Sequence, residues 1–316
     1  MMTSLASLHQ LTSLTLVIIP GSSIIKKTCS IPDHHIRTEV LNIHVESDPR
    51  PSNDIDSIST NTGFPALISL LSNHHITCQG LSITIYQEYC SADVILDFFN
   101  TLTSLASIDD DDDGFLAWED LAGFRLKMPW NEDFFVPDED SLQIPRNELI
   151  TLYRLVYLTA LELEDLGTYR IDDDALLNLA LRLPYLQRLL LGTKPFWEKL
   201  PRATLWDISL VLHHCPHMET LSLLFCYTLG NHKIESADTN NLITTLHVGF
   251  SPPHSPFTVA AFFAYSLPNL DIIVVEPRES HRKHGSSRTD LTLPNQDTRI
   301  QKWSRILELT KEFADV

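Results

Sequence analysis

The sequence predicts an α/β fold in which helix–strand units repeat along the chain, the strands form a curved parallel sheet and the helices lie on its convex side. The first observation is the stretch 172–225, which contains two similar halves, each an amphipathic run followed by spaced apolar residues. The two strings are Leu183-x2-Leu186-x2-Leu189-x-Leu191 and Cys215-x2-Met218-x2-Leu221-x-Leu223. Their early spacing indicates a helix, and their final alternation indicates a short strand.

The second observation is the distance between the predicted strands. The strand centres after residue 149 are Leu161, Leu189, Leu221, Leu246 and Ile273, at spacings of 28, 32, 25 and 27 residues. A unit that recurs at near-fixed distance is typical of a leucine-rich-repeat-like solenoid, whose terminal units need a cap. We therefore predict a repeat array over 1–276, a polar basic loop over 277–296 and a C-terminal capping helix over 297–316. The alternative for this helix is that it binds a partner.

The elements of the first half follow the same pattern less regularly. Strands are predicted from Leu14 onward, over 40–45 and over 81–85. Helices are predicted over 64–71 and after an N-cap at Ser91, the second with a stripe made of Ile95, Phe98, Phe99 and Leu102. Residues 109–148 are rich in acids and interrupted by prolines, so we predict an irregular acidic insertion there, with one strand over 121–126.

Three helix starts are marked in the second half. Asp172 is placed to cap a helix, and Thr204-x-x-Asp207 has the form of a capping box. Ser255-Pro256 supplies an N-cap followed by proline at the first helical position. The predicted apolar stripe of the last helix consists of Ile300, Trp303, Leu307 and Phe313.

Composition narrows the class of partner. The 316 residues carry a formal net charge of −18, which argues against nucleic acid or an anionic membrane surface as the main partner. The five cysteines are odd in number and lack CxxC spacing, so we expect free thiols in a reducing compartment. No segment approaches the ~20 apolar residues of a membrane span. We expect an intracellular protein, cytoplasmic or nuclear.

The acidic run is the sharpest candidate for a metal site. Asp109, Asp111 and Asp113 alternate ahead of Gly114 as in a calcium-binding EF-hand loop, with Asp120 at the twelfth position. Asp120 is shorter than the usual glutamate, and the sequence has no second loop of this kind. We therefore expect a solvated acidic loop without metal. The alternative is a calcium-responsive protein that uses the loop 109–120.

Motifs for catalysis are lacking. The cluster His213-His214-Cys215-Pro216-His217 has no second pair of ligands at suitable spacing, so we predict a buried thiol flanked by surface histidines. The sequence contains no GxSxG, HExxH, GxxxxGK[ST] or GxGxxG motif. We therefore predict a non-enzymatic interaction protein without a cofactor. An enzyme with an unrecognised site is the remaining alternative.

Several segments resemble the leucine-rich-repeat region of fungal F-box proteins, especially those of mushroom-forming fungi. They are IDDDALL at 171–177, LPYLQRL at 183–189, PRATL at 201–205, HCPHMETL at 214–221 and LLF at 223–225. The end of the chain, RIQKW at 299–303 followed by Leu307, is also similar. The resemblance covers about residues 150–316.

This resemblance implies a substrate-recruiting role in a cullin-type ubiquitin ligase, in which an N-terminal F-box binds the ligase adaptor and the repeats bind a protein client. No Leu-Pro-x-Glu-Ile/Leu segment of an F-box precedes the repeats in this sequence. Binding to the adaptor is therefore expected only if an F-box is supplied upstream.

The alternation of side chains in each strand predicts where a client binds. The residue between the two apolar positions of each L-x-L points away from the core. Stacked strands would therefore form a concave row of Glu162, Leu190, Ser222, His247 and Val274. One step along, a second row would hold Glu164, Gly192, Leu224, Gly249 and Glu276. We predict that the client-binding residues are Glu162, Leu190, Ser222, Leu224, His247 and Val274. The alternative is that the chain's own segments cover them.

Overall fold

A computed structural model describes two compact units, Met1–Leu166 and Gly167–Val316, called unit 1 and unit 2 below. The residues described are 11–18, 35–45, 67–68, 70–71, 75–86, 92–104, 120–128, 149, 151–164, 166, 171–192, 202–226, 239–253, 255–276 and 296–315. The predicted basic loop 277–296 lies outside them apart from residue 296. The predicted division into array, loop and cap stays a prediction.

Within its described residues, unit 1 contains five parallel strands and one named helix. They are β1 (Leu11–Ile18), β2 (His35–Val45), β3 (His75–Ile85), α1 (Ala92–Ser104), β4 (Gly123–Lys127) and β5 (Ala160–Glu164). Each strand pairs with the next in chain order. The predicted strands in this half are therefore confirmed, and β2 and β3 begin earlier than expected.

One apolar position recurs across all five strands of unit 1. The aligned residues are Leu14, Leu41, Leu81, Phe124 and Leu161. The Phe124 ring lies 6.5 Å from the Phe98 ring and 6.3 Å from the Phe99 ring, so α1 packs on this core through its predicted stripe. The whole stripe is buried: Ile95, Phe98, Phe99 and Leu102. Apolar burial of this kind is the main stabilising contribution to the unit.

The described part of unit 2 contains four parallel strands and four helices. They are α2 (Asp173–Arg182), β6 (Arg188–Leu191), α3 (Leu205–His214), β7 (Thr220–Ser222), β8 (Thr245–Gly249), α4 (Pro256–Ser266), β9 (Ile272–Val275) and α5 (Gln296–Ala314). The predicted strand centres are in register: Leu189 pairs with Leu221, Leu221 with Leu246, and Leu246 with Ile273. The predicted α/β leucine-rich-repeat-like fold class is confirmed.

The same turn leads into strands of both units. In unit 2 the amides of Glu219 and Thr220 both donate to the Gln187 carbonyl, at 2.7 and 3.0 Å. In unit 1 the amides of Thr159 and Ala160 share the Ala122 carbonyl in the same way, at 2.7 and 3.0 Å. Pairing at the start of the strand fixes its register, so the apolar positions of successive repeats stay aligned.

The helix starts are confirmed with one correction. The Asp172 side chain accepts a hydrogen bond from the Ala175 amide, and Thr204 with Asp207 forms the predicted capping box. Pro256 occupies the first turn of α4, as predicted, but Ser255 does not cap it with its side chain. Ser255 adopts a left-handed conformation with φ 44°, in which its hydroxyl makes no capping hydrogen bond.

The last helix closes the core of unit 2, but its buried stripe differs from the predicted one. Ile300 and Phe313 are 40% and 39% exposed. The buried positions are Arg299, Trp303, Ile306, Leu309 and Thr310. The Trp303 indole donates to the Ser251 carbonyl at 3.1 Å and packs edge-on to Phe225 at 6.0 Å. These contacts hold α5 against the repeats and orient it so that Arg299 is buried in place of the expected Ile300.

The predicted insertion 109–148 contains a regular repeat strand. The strand expected over 121–126 is β4, whose Phe124 is in register with the strands on both sides. Apart from residues 120–128, the insertion lies outside the described residues, as does the predicted N-cap Ser91. Residues 67, 68, 70 and 71 are helical within the predicted helix 64–71. No helix among the described residues is long and apolar enough to cross a membrane.

Candidate protein-interaction surfaces

Side chains between the core positions of β6–β9 form the candidate surface of unit 2. Two rows of aligned residues make it up, and we call them the unit 2 face. The middle row is Leu190, Ser222, His247 and Val274. The row at the strand starts consists of Arg188 paired with Thr220 and of Thr245 paired with Ile272. Core residues alternate with these positions, as in Leu189 and Leu191, which are 1% and 0% exposed.

The structure aligns four of the five predicted site residues of this unit. Leu190 pairs with Ser222, Ser222 with His247, and His247 with Val274. Leu190, His247 and Val274 are half-buried, whereas Ser222 is only 3% exposed. Leu224 lies beyond the end of β7 and is half-buried. The row therefore exists as a line of neighbours, and whether a client binds it stays a prediction.

The second predicted row is interrupted at the last pair of strands. Gly249 was expected beside Glu276, but the register shifts between His247 and Gly249, so that Gly249 pairs with Val275. Gly249 has φ 50°, a left-handed conformation that residues other than glycine rarely adopt. The correction follows from this local irregularity, which simple counting from the L-x-L position does not anticipate.

The row at the start of the strands was missed in the sequence. Arg188 and Ile272 are exposed, the latter by 50%, and Thr220 and Thr245 are half-buried. These residues lie two positions before the predicted row, so the alternation that placed Leu190 on this face also places Arg188 there. Applying the two-residue alternation once more toward the start of each strand would have identified these residues. The row adds a cation and an exposed aliphatic side chain to the unit 2 face.

The outward surface of unit 1 is mostly polar and charged, with Val17 as an exposed aliphatic side chain. Its aligned rows, called the unit 1 face, are Thr15, Asn42, Ser82, Arg125 and Glu162, followed by Val17, His44, Thr84, Lys127 and Glu164. Glu162 was predicted as a site residue, and it lies on β5 with 9% of its surface exposed. The sequence missed Arg125 and Lys127, although the spacing Leu121-x2-Phe124-x-Leu126 repeats the motif and could have placed them.

Four charged residues of the unit 1 face neutralise one another. Arg125 Nε lies 3.3 Å from Glu162 Oε2, and a second Arg125 nitrogen contacts Glu164. Lys127 Nζ lies 3.2 Å from Glu164 Oε2. Burial alone would raise the pKa of Glu164, but the hydrogen bond from Lys127 and the charge of Arg125 outweigh it and lower this pKa. The Glu164 carboxylate is thus held charged, and both glutamates are already paired with Arg125.

A groove lies between β9 and α5 in unit 2. Its volume is about 220 Å³, and its lining consists of Ile273, Val275, Ile300, Trp303, Ser304 and Leu307. The lining is mostly apolar, and Ile300 is 40% exposed at its side. The alternative prediction, that the C-terminal helix binds a partner, would therefore involve the face of α5 that carries Ile300, beside this groove.

Predicted metal ligands are only partly within the described residues. Asp109, Asp111 and Asp113 lie outside them, and Asp120 is exposed in a turn. In the described ranges, no group of three or more His, Cys, Asp or Glu side chains could hold a metal ion. The calcium alternative for loop 109–120 stays a prediction, which calorimetric titration with calcium would test. Micromolar affinity that is lost in Asp111→Ala would support it.

The histidine–cysteine cluster has the predicted arrangement. Cys215 is buried, and its thiol lies 3.5 Å from the Leu183 carbonyl. Burial raises the pKa of the Cys215 thiol to about 12, so this residue stays protonated and unreactive at neutral pH. His213 and His217 are exposed on either side. Cys215 therefore fills a core position that leucine occupies in the neighbouring repeat, at Leu183.

The chain is similar in structure to a solved leucine-rich-repeat protein. No protein-family model matches the chain, and no curated protein matches it. A solved structure of the leucine-rich repeat-containing protein LegL7 from Legionella pneumophila is similar over 96% of this chain and 99% of its own, with 11% sequence identity and a TM-score of 0.34. The fold class of this chain follows from its own parallel strands and their register.

Proposed function

We propose that the chain is a non-enzymatic protein-interaction module that binds a protein client through the unit 2 face. The observation that carries this proposal is that Leu190, Val274 and Ile272, three aliphatic side chains that are not fully buried, lie on the same face of β6–β9, opposite the core positions. Grouped apolar residues on a strand surface are typical of interaction sites. Thr220, Thr245 and His247 between them can supply hydrogen bonds to a partner.

The finer proposal concerns the pathway. We propose that the repeats are the client-binding region of an F-box-type ubiquitin-ligase substrate receptor. The support for this is the resemblance of residues 171–225 and 299–307 to the repeat region of fungal F-box proteins. A protein client is then the primary partner, and the ligase adaptor binds only through an F-box joined upstream.

The client-binding proposal is tested by quantitative capture from a cell extract with the full chain as bait. Leu190→Asp combined with Leu224→Asp places one charge on the unit 2 face and one just beyond the end of β7. Leu181→Asp is the matched control, because Leu181 is 50% exposed on α2 and does not lie on the unit 2 face. We expect the double variant to lose a set of partners that the control retains, with circular dichroism spectra unchanged.

Two results would contradict the client-binding proposal. One is retention of every partner by the folded double variant. The other is loss of the same partners in Ile300→Asp alone, which would move the binding site to the groove beside α5. An unfolded double variant would also contradict it, because it would show that these positions belong to the core.

The pathway proposal is tested separately with purified ligase adaptor. The chain alone should not bind the adaptor, because the sequence contains no F-box-like Leu-Pro-x-Glu-Ile/Leu segment. A fusion that carries an unrelated F-box upstream should bind the adaptor and present the client to the ligase. Stoichiometric binding by the chain alone would show a divergent F-box, and failure of the fusion to ubiquitinate a captured client would contradict the receptor role.

A further inference from the structure

Two carboxylates from consecutive repeats of unit 2 converge on one backbone amide. Asp173, in the first turn of α2, accepts the Thr204 N–H at 3.1 Å and the Thr204 hydroxyl at 3.2 Å. Asp207, in the first turn of α3, accepts the same N–H at 2.6 Å. Asp207 is 0% exposed, and its second oxygen, Oδ1, has no hydrogen-bond partner. The contact between the two helix starts therefore depends on how two acidic groups share limited donors.

Two ionised carboxylates in this place would be unfavourable. Each would repel the other at short range with little water to screen the charge, and Asp207 Oδ1 would be a buried acceptor without a donor. A single proton solves both problems, because it removes one charge and supplies the missing hydrogen bond. A metal ion fits less well, since the described residues contain no group of three or more His, Cys, Asp or Glu side chains that could hold one.

We propose that Asp173 and Asp207 share one proton in the folded protein, and that this proton makes the contact between two consecutive repeats of unit 2 sensitive to pH. The role of the capping box is thereby extended. Thr204 and Asp207 start α3, and the shared proton joins that start to the first turn of the preceding helix.

The charges around the pair agree in sign with this assignment. Burial, followed by the hydrogen bond and charge of Asp173, raises the pKa of Asp207 to about 10, against the opposing effect of the Thr204 amide. In the described part of the chain, the charged groups that act on Asp207 are Asp173 and, more weakly, Asp172, both at the start of α2. Asp172 is itself engaged with the Ala175 amide at 3.0 Å.

The direction of the pH effect follows from linkage. In the unfolded chain Asp207 has its ordinary pKa of 3.8, so it is ionised above pH 4, whereas the folded protein keeps the proton. Folding therefore takes up a proton between about pH 4 and about pH 10, and the stabilising effect is full below pH 4 and falls as the pH rises. Each pH unit in this window should shift the unfolding equilibrium constant by up to about tenfold.

The test combines infrared spectroscopy with urea denaturation of the full chain. We expect a protonated-carboxyl C=O band at pH 7 that disappears in Asp207→Asn and persists in the control Asp174→Asn, an exposed acid in the same turn as Asp173. Between pH 5 and pH 9, the unfolding constant of the wild type should rise relative to that of Asp207→Asn, and Asp174→Asn should follow the wild type.

Absence of the infrared band from the wild type at pH 7 would overturn the proposal without any variant. Identical pH profiles for the wild type and Asp207→Asn would also overturn it. If Asp207→Asn does not fold, a pH titration of the wild-type band decides alone. The band should persist as the pH is raised to 9. A band that has already disappeared by deprotonation at pH 6 would contradict a shared buried proton.

Discussion

The strand faces of the two units follow the same alternation but carry different chemistry. On the unit 1 face, Arg125 and Lys127 of β4 are paired with Glu162 and Glu164 of β5, so these charges satisfy one another. On the unit 2 face, the positions that correspond to Arg125 and Glu162 hold Leu190, Ser222, His247 and Val274. A repeat motif therefore fixes which positions face outward. The residues at these positions determine whether the side chains form ion pairs with one another or can contact a partner protein.

The largest expected effect contrasts two adjacent residues of β4. Phe124→Ala removes a buried ring that contacts Phe98 and Phe99, and it should lower the free energy of unfolding by about 3–5 kcal/mol. Arg125→Ala removes only outward ion pairs and should cost about 0.2–1 kcal/mol. Urea denaturation measures both. Equal losses would mean that the ion pairs, and not the aromatic core, hold this part of unit 1 together.

The same contrast applies to β6 with a matched pair of leucines. Leu189 is 1% exposed and lies in the core register, so Leu189→Ala should cost about 2–5 kcal/mol. Leu190 is half-buried on the opposite side, and we expect Leu190→Ala to cost about 1 kcal/mol or less. Thermal and urea denaturation of the two variants would show the difference. A cost for Leu190→Ala as large as that for Leu189→Ala would place Leu190 in the core.

A smaller effect concerns the response of the ion pairs on the unit 1 face to acid. The lowered pKa of Glu164 means that its contribution is full above the ordinary pKa of 4.5 and is lost as the pH falls through its folded value. Glu164→Gln should therefore remove up to about 1 kcal/mol at pH 7 and nothing at pH 2, and added salt should reduce the loss. Denaturation at both pH values measures it. A loss that is equal at pH 2 and pH 7 would show that the charge of Glu164 is not involved.

Much of this fold could be predicted because apolar spacing and helix capping are local properties of the sequence. The register Leu189–Leu221–Leu246 follows directly from the recurring L-x-x-L-x-L string, and the capping box at Thr204 is defined by residues three apart. The strand β4 could also be predicted from the spacing of its apolar residues, although it lies in a segment of irregular composition.

The remaining features depend on contacts between distant residues. The register shift at Gly249 is a backbone irregularity that the spacing of apolar residues does not predict. The buried side of α5 depends on the contact of Trp303 with the Ser251 carbonyl. The pairing of Arg125 with Glu162 requires β4 and β5 to be recognised as neighbours first. The carboxylate pair Asp173–Asp207 joins residues 34 positions apart, so only the folded chain reveals it.

The most direct test of the central claim is photo-crosslinking from the two sides of unit 2. A benzophenone amino acid is placed at position 190 on the unit 2 face or at position 181 on α2, in otherwise identical full-length protein. We expect position 190 to crosslink to a specific protein client in cell extract and position 181 not to do so. Crosslinking of the same client from position 181 alone, or of no specific protein from position 190, would contradict it.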